Sequence, residues 1–122
     1  MDSGKNNPSL DHKAVIVFIT TGSTDEAEKI GKLLVEEGLA ACCTIIQPVE
    51  SIFKWKGAIH VEQETLVICK TRAELFNALE KRVKQLHCYE VPEIIAIPIT
   101  QGSRNYLDWI TKETGTPGKA PS

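Results

Sequence analysis

The chain has 122 residues, 42% hydrophobic and 25% charged, with a formal net charge of −2, a soluble composition with room for one domain and a single core. The acidic balance argues against nucleic acid and anionic membrane as partners, both of which need a basic face, and no apolar run approaches the ~20 residues of a membrane span. Cys42, Cys43, Cys69 and Cys88 form no small-secreted framework, and the opening MDSGKNNPSLDHK has neither an apolar h-region nor an Arg-rich amphipathic pattern; the expectation is a cytoplasmic protein with reduced thiols.

Residues 1–12 and 115–122 read as polar tails that cannot bury enough to order themselves, leaving a domain over 13–114. Within it, Ala14–Thr20 (AVIVFIT) is an unbroken apolar run, expected to be a central strand covered on both faces. Ser23 with Glu26 makes a capping box, opening a helix with Ala27, Ile30 and Leu34 on one face. Gly38 and Leu39 then fit a Schellman stop. Strand-forming residues run from Leu39 to Trp55, Lys56-Gly57 supplies a turn, and a second strand runs from Ala58 to Lys70. Arms of roughly fourteen residues reach about 45 Å, more than the roughly 35 Å diameter of so small a domain, so the tip overhangs and needs cover. Unpaired strand edges on such a tip make a homo-oligomer the expectation. Adjacent strand residues point to opposite faces, so Cys42 and Cys43 cannot pair with each other without strain.

A second capping box, Thr71 with Glu74, is expected to open a helix that buries Leu75, Leu79, Val83 and Leu86. After the loop His87–Pro92, Glu93–Thr100 reads as a strand that Pro98 confines to an edge or cuts short. Ser103 can cap a last helix carrying Tyr106, Leu107 and Ile110. The order β-α-β-β-α-β plus a helix describes an α+β, ferredoxin-like sandwich with an extended hairpin and both crossover helices on one sheet face.

The segments GLAACCTIIQ, FKWKGAI, a glutamate-rich strand ending in CKT, and HCYEVPEIIAIPI followed by YLDWI stand in order over Val15–Ile110. They resemble the CutA divalent-cation tolerance family. The resemblance implies a tight homotrimer whose hairpins pair across subunits, a likeness to the trimeric PII signalling proteins, and an association with tolerance of copper and other divalent cations. Cys42 matches the cysteine of the family's LAAC motif and His87 the histidine of its HPY motif. Glu64, Lys70 and Thr71 match positions the family tends to keep, which places Glu64 and Lys70 toward an intersubunit cleft. Two departures bear on the metal: Cys88 replaces the family's proline, and Thr20-Thr21 stand where some bacterial members carry a cysteine.

Three sets of residues can carry chemistry. Alternation puts His60, Glu62 and Glu64 on one strand face, three donors for a cation, although spacings of ~6.6 Å converge poorly and Lys54 and Lys56 can neutralise the face across the hairpin. Cys42, His87 and Cys88 are thiol and imidazole donors suited to a divalent copper or zinc ion, with His87 and Cys88 expected to be open in their loop. No CxxC or HxxxH spacing links them, so the fold or a subunit contact must assemble such a site; Cys42 and Cys69 read first as small core residues. Trp55, Tyr89 and Trp109, near Glu90 and Glu93, suit oligomer packing, while Glu64, Lys70, Tyr89 and Glu93 suit the lining of a small-molecule cleft.

Enzyme motifs are not evident: no Gly-rich phosphate loop, nucleophile elbow or HExxH occurs, and the loop after the first strand lacks the arginine by which acylphosphatases of this fold hold phosphate. RNA-recognition domains of the same plan stack bases on aromatics of the central strands, which here offer Phe18 alone. The reading is a non-enzymatic homotrimer that binds a divalent cation. The alternative is a PII-like sensor or adaptor that binds a metabolite or a partner protein.

Overall fold

The computed structural model describes residues 13–115. The expected tail over residues 1–12 and all but Gly115 of the C-terminal one lie outside the described residues. Among those described, the order is β1 (Ala14–Thr21), α1 (Thr24–Glu36), β2 (Cys42–Trp55), β3 (Ala58–Arg72), a 3₁₀ turn (Ala73–Leu75), α2 (Phe76–Leu86), β4 (Ile94–Pro98) and α3 (Arg104–Lys112). The strands form one sheet in the order β2-β3-β1-β4, antiparallel throughout. This is the ferredoxin-like arrangement, and no helix in it is long and apolar enough to cross a membrane.

Local chemistry explains the boundaries of α1. Ser23 Oγ accepts from Glu26 N at 3.1 Å, satisfying one of the orphan amides of a helix start, and the Glu26 carboxylate reaches back to Gly22 N, just ahead of the cap, at 3.2 Å. At the other end Leu39 N donates to Leu34 O and Gly38 N to Val35 O, with Gly38 at φ 73, which is a Schellman stop. Ser23 has its counterpart in Ser103, whose Oγ accepts from Tyr106 N at the start of α3.

Alternate residues of β1 and β3 face the helices. Val17, Ile19, Val67 and Cys69 from the sheet meet Ala27, Ile30 and Leu34 of α1 and Leu79 and Val83 of α2, all at 0% exposure. A smaller cluster joins Leu107 and Ile110 of α3 to Ala14 and Ala41. The register puts Ile16, Phe18, Leu66 and Ile68 on the opposite sheet face, flanked by Ile46, Ile95 and Ile97. No crossover helix covers that face, and the last three of these side chains are exposed. β1 is therefore central but fully buried on one face only within the chain, where both were expected; on the other face α3 covers Ala14 while Ile16 and Phe18 stay half-buried. Its continuous apolar run answers two different surroundings, a closed core on one side and an open apolar face on the other.

The hairpin follows its expected turn. Lys56 and Gly57 take φ 51 and 83 and Trp55 pairs with Ala58, the two positive values of a type I′ turn. Residues Ala58–Glu64 extend beyond the end of β1, whose last partner on β3 is Thr65; that overhang measures about 23 Å. The register slips between Ile46 and Val49, so Gln47 and Pro48 stand together opposite one residue. The extra residue inverts the alternation of β2 toward the tip. Lys54 consequently pairs with Ile59, whereas Phe53 pairs with His60 and Ser51 with Glu62. The expected neutralisation of the acidic face by Lys54 fails for that reason.

Two further boundaries differ from expectation. β2 begins at Cys42 because Leu39–Ala41 is taken up by the helix stop and by the bond from Ala41 N to Lys70 O. Thr71 does not cap a helix: it stays in β3, fully buried, with its hydroxyl donating to Leu39 O at 2.7 Å. A 3₁₀ turn without a side-chain cap then leads into α2. Gly115, read as tail, is tied to the fold: its N donates to Gly38 O and its carbonyl accepts from Arg72.

Candidate functional site

Where β1 ends and the hairpin continues alone, three segments meet: Thr20–Gly22, the first turn of α1, and the loop from His87 to Glu93. The imidazole of His87 is central. Its side chain is 0% exposed, with Nε2 at 2.7 Å from Thr20 O and Nδ1 accepting from Tyr89 N at 3.0 Å. A carbonyl can only accept and an amide can only donate, so the ring is the neutral tautomer protonated on Nε2. His87 is thus a buried strut of its loop, not the open loop residue expected. The closing bond to β1 draws it in.

Glu26 brings the second donor. Its Oε2 lies 3.7 Å from His87 Nδ1 and accepts from Cys88 N at 2.9 Å. Burial opposes ionisation of this carboxyl, but the amide and thiol of Cys88 and the Gly22 amide together hold it below the usual carboxylate range. Cys88 is exposed, and its thiol is pushed above its ordinary value, first by donating to Glu26 and then by desolvation. Glu26, His87 and Cys88 place one ligand atom each within 4.8 Å of one another, the grouping of its kind among the described residues. The sequence marked Glu26 only as a capping residue. A cap sits at the sheet end where crossover loops gather, and that position was the available signal.

Cys42 does not join this cluster. It pairs with Lys70, whereas Thr20 pairs with Leu66, about 13 Å further along β3. Its sulfur lies 4.0 Å from Lys70 Nζ, and Lys70 donates to Thr44 Oγ1 at 3.1 Å, so Lys70 serves the open sheet face at the far end from the loop. Cys69 is a fully buried core residue. Glu93 is exposed at the entrance to β4, outside the cluster.

Tyr89 carries the site over to the hairpin. Its ring tilts against His87 at 4.7 Å, and its hydroxyl donates to Glu64 Oε2 at 2.7 Å. Desolvation first, then that carboxylate, push the phenol above its ordinary value. Glu64 is itself only 7% exposed, so the pair is a charge-assisted hydrogen bond at the base of the overhang. The ring crosses Gly22 so closely that a Cβ there would stand 3.2 Å from Tyr89 Oη. Beyond Tyr89 an open cleft of about 370 Å³ lies between hairpin and loop, lined by Phe53, Trp55, His60, Glu62, Tyr89, Glu90 and Val91. Phe53 and His60 stack within it at 5.4 Å. Trp109 lies elsewhere, with Tyr106 on α3.

Residues 15–113 match the model of the CutA1 divalent ion tolerance protein family. The chain belongs to that family. It is 48% identical over 100 residues to the divalent-cation tolerance protein CutA of Thermus thermophilus, a match covering 82% of this chain and 97% of that one. The solved structure of a T. thermophilus CutA1 superposes with a TM-score of 0.82, covering 84% of this chain and 99% of that one at 47% identity. A structure described as the periplasmic divalent cation tolerance protein CutA of Archaeoglobus fulgidus gives 0.80 at 43% identity, covering 82% and 97%. The chloroplastic CutA of Arabidopsis thaliana is 38% identical over 113 residues, which cover 93% of this chain and 59% of that protein. CutA relatives thus carry periplasmic and chloroplastic descriptions, which overturns the expectation of a cytoplasmic address read from the cysteines and the opening residues.

Proposed function

We propose that this CutA family member is a non-enzymatic homotrimer that binds a divalent copper or zinc ion through Cys88 and Glu26, with His87 as the buried third donor. The observation that carries the reading is the convergence of thiol, carboxylate and imidazole within 4.8 Å, a donor set suited to borderline cations. Each donor already has a partner. Cys88 must give up its proton, and the Nδ1 lone pair of His87 is engaged by Tyr89 N, so exposed Cys88, beside the half-buried Glu26, is the point of entry. The trimer is supported by the uncovered apolar sheet face and by the exposed Trp55, Ile52, Ile59 and Val61 of the overhang, a surface that a partner chain would bury.

Because a thiol held above its ordinary value must ionise to coordinate, affinity rises with pH and falls as the thiol is protonated. Calorimetric Zn(II) titrations of wild type and Cys88→Ala at about pH 6 and 8 test this. The expected result is at least a tenfold loss of affinity in the variant at the higher pH, and proton release on binding in wild type only. Equal affinities in both proteins would overturn the site. Light scattering at low concentration tests the trimer independently, and a folded monomer would overturn that part.

A second reading, a PII-like sensor or adaptor, is favoured by the cleft between Trp55 and Tyr89. Its three aromatic rings and two carboxylates would suit a small ligand with an apolar body. Metal-independent capture of a ligand that is lost in Tyr89→Phe would support it.

A further inference from the structure

On the helix-facing side of the hairpin, Cys43 and Cys69 stand directly opposite each other in the antiparallel register. Their sulfurs are 3.3 Å apart and share a hydrogen bond, and both are free thiols. Directly opposed residues of an antiparallel pair have Cα atoms about 4.5–5.5 Å apart, within the range a disulfide spans, so closure to about 2.05 Å needs side-chain rotation and not strand separation. The surroundings make room for that rotation. Across from the pair, α1 presents Gly31, where a Cβ would stand 3.3 Å from Cys43 Cβ and 3.9 Å from its sulfur.

The two thiols differ in access. Cys69 is fully buried in the main core, while Cys43 lines an open groove of about 430 Å³ between α1 and β2, with Glu28, Gly31, Lys32, Val35, Glu36 and Ile45. They differ in acidity in the same sense. The hydrogen bond with Cys69 lowers the Cys43 thiol against the opposing effect of burial, with Lys70 assisting. Cys69 is pushed far up by the same bond and by its burial. One sulfur is therefore the more accessible and more acidic of the two and the other a buried neighbour within reach, the division of labour between an attacking and a resolving cysteine.

We propose that Cys43 and Cys69 form a redox-active dithiol, reactive toward hydroperoxides that enter the groove between α1 and β2. The Cys43 thiolate attacks the terminal oxygen of the peroxide; an S–O bond forms, the O–O bond breaks, and the leaving alkoxide takes up a proton as an alcohol, or as water when the oxidant is hydrogen peroxide. Cys69, giving up its proton, attacks the Cys43 sulfur. The S–S bond forms as the S–O bond breaks, and hydroxide leaves with that proton as water. Two thiols are oxidised by two electrons and one peroxide is reduced. Neither residue belongs to the Glu26–His87–Cys88 cluster, so the dithiol is independent of the proposed cation site.

Reduced full-length protein treated with stoichiometric hydrogen peroxide, quenched by alkylation under denaturing conditions and mapped by mass spectrometry, decides the matter. The expected result is loss of two of the four alkylatable thiols and recovery of a Cys43–Cys69 linked peptide. Cys69→Ala should stop at a dimedone-reactive sulfenic acid on Cys43, and Cys43→Ser should leave Cys69 fully alkylatable. If Cys69→Ala fails to fold, Cys69→Ser is read in its place. Oxidation confined to exposed Cys88, or Cys43 carried to sulfinic acid in wild type without linkage, would overturn the proposal.

Discussion

The two halves of β3 have the same strand geometry and opposite fates. From Thr65 to Arg72 it alternates strictly between buried and half-buried residues, while from Ala58 to Gln63 nearly every side chain is exposed on both faces. Its near half is flanked by β1 and capped by α1 and α2; its far half has only β2 beside it. Ile59 and Val61 are 65% and 56% exposed, whereas Val67 is at 0%. Apolar character at the tip is therefore not explained by the chain's own core. The comparison teaches that a β-branched residue records a demand for cover, and that the chain itself meets this demand over only half of the strand.

The largest expected effect comes from the closed half. Leu79→Ala should lower stability by ~2–5 kcal/mol at every protein concentration, since it opens a cavity in the core; urea midpoints over a wide dilution series measure it. Trp55→Ala at the open tip should cost about 2–4 kcal/mol only where the protein is assembled. An equal shift of the midpoint at all concentrations would erase the distinction between the two halves.

The boundary between them can be probed at Tyr89. Tyr89→Phe leaves the buried Glu64 carboxylate without its donor and should destabilise by about 1–3 kcal/mol. Gly22→Ala pushes on the same hydroxyl and should cost about 1 kcal/mol, an effect that should largely disappear in the Tyr89→Phe background. Additive effects in that double variant would show that Gly22 acts elsewhere.

The smallest effect concerns pH. Glu26 is held below its ordinary value in the fold, so its contribution to stability is present above the unfolded carboxylate value and is lost as pH falls through the folded one. Glu26→Gln should therefore be less stable than wild type near neutrality and converge with it in acid. A difference between the two that is unchanged from neutrality down to strongly acidic pH would remove Glu26 from this role.

Much of the architecture was legible because it is written in local chemistry. Ser23 with Glu26, Gly38 with Leu39, Lys56-Gly57 and Ser103 each specify a cap, a stop or a turn within a few residues, and each occurs where that chemistry calls for it. The misreadings share one cause, which is tertiary competition for a local signal. Thr71 has the spacing of a cap, yet its hydroxyl is taken by Leu39 O across the fold. Lys54 has the parity to face His60, yet an extra residue in β2 inverts it. His87 reads as a loop residue, yet Thr20 O draws its ring out of solvent.

The sequence by itself determined the element order, the α+β class, the hairpin turn and the family, because caps, turns and hydrophobic periods act over a few residues and the family's motifs lie in register along the chain. Only the tertiary structure decided which donors meet. Glu26, His87 and Cys88 come from a helix start and a loop far away in the chain, while Cys42, chemically like Cys88, lies in β2 near the opposite end of the sheet. Convergence depends on where strands end and which face each residue takes, and a single extra residue between Ile46 and Val49 changes that for the whole tip.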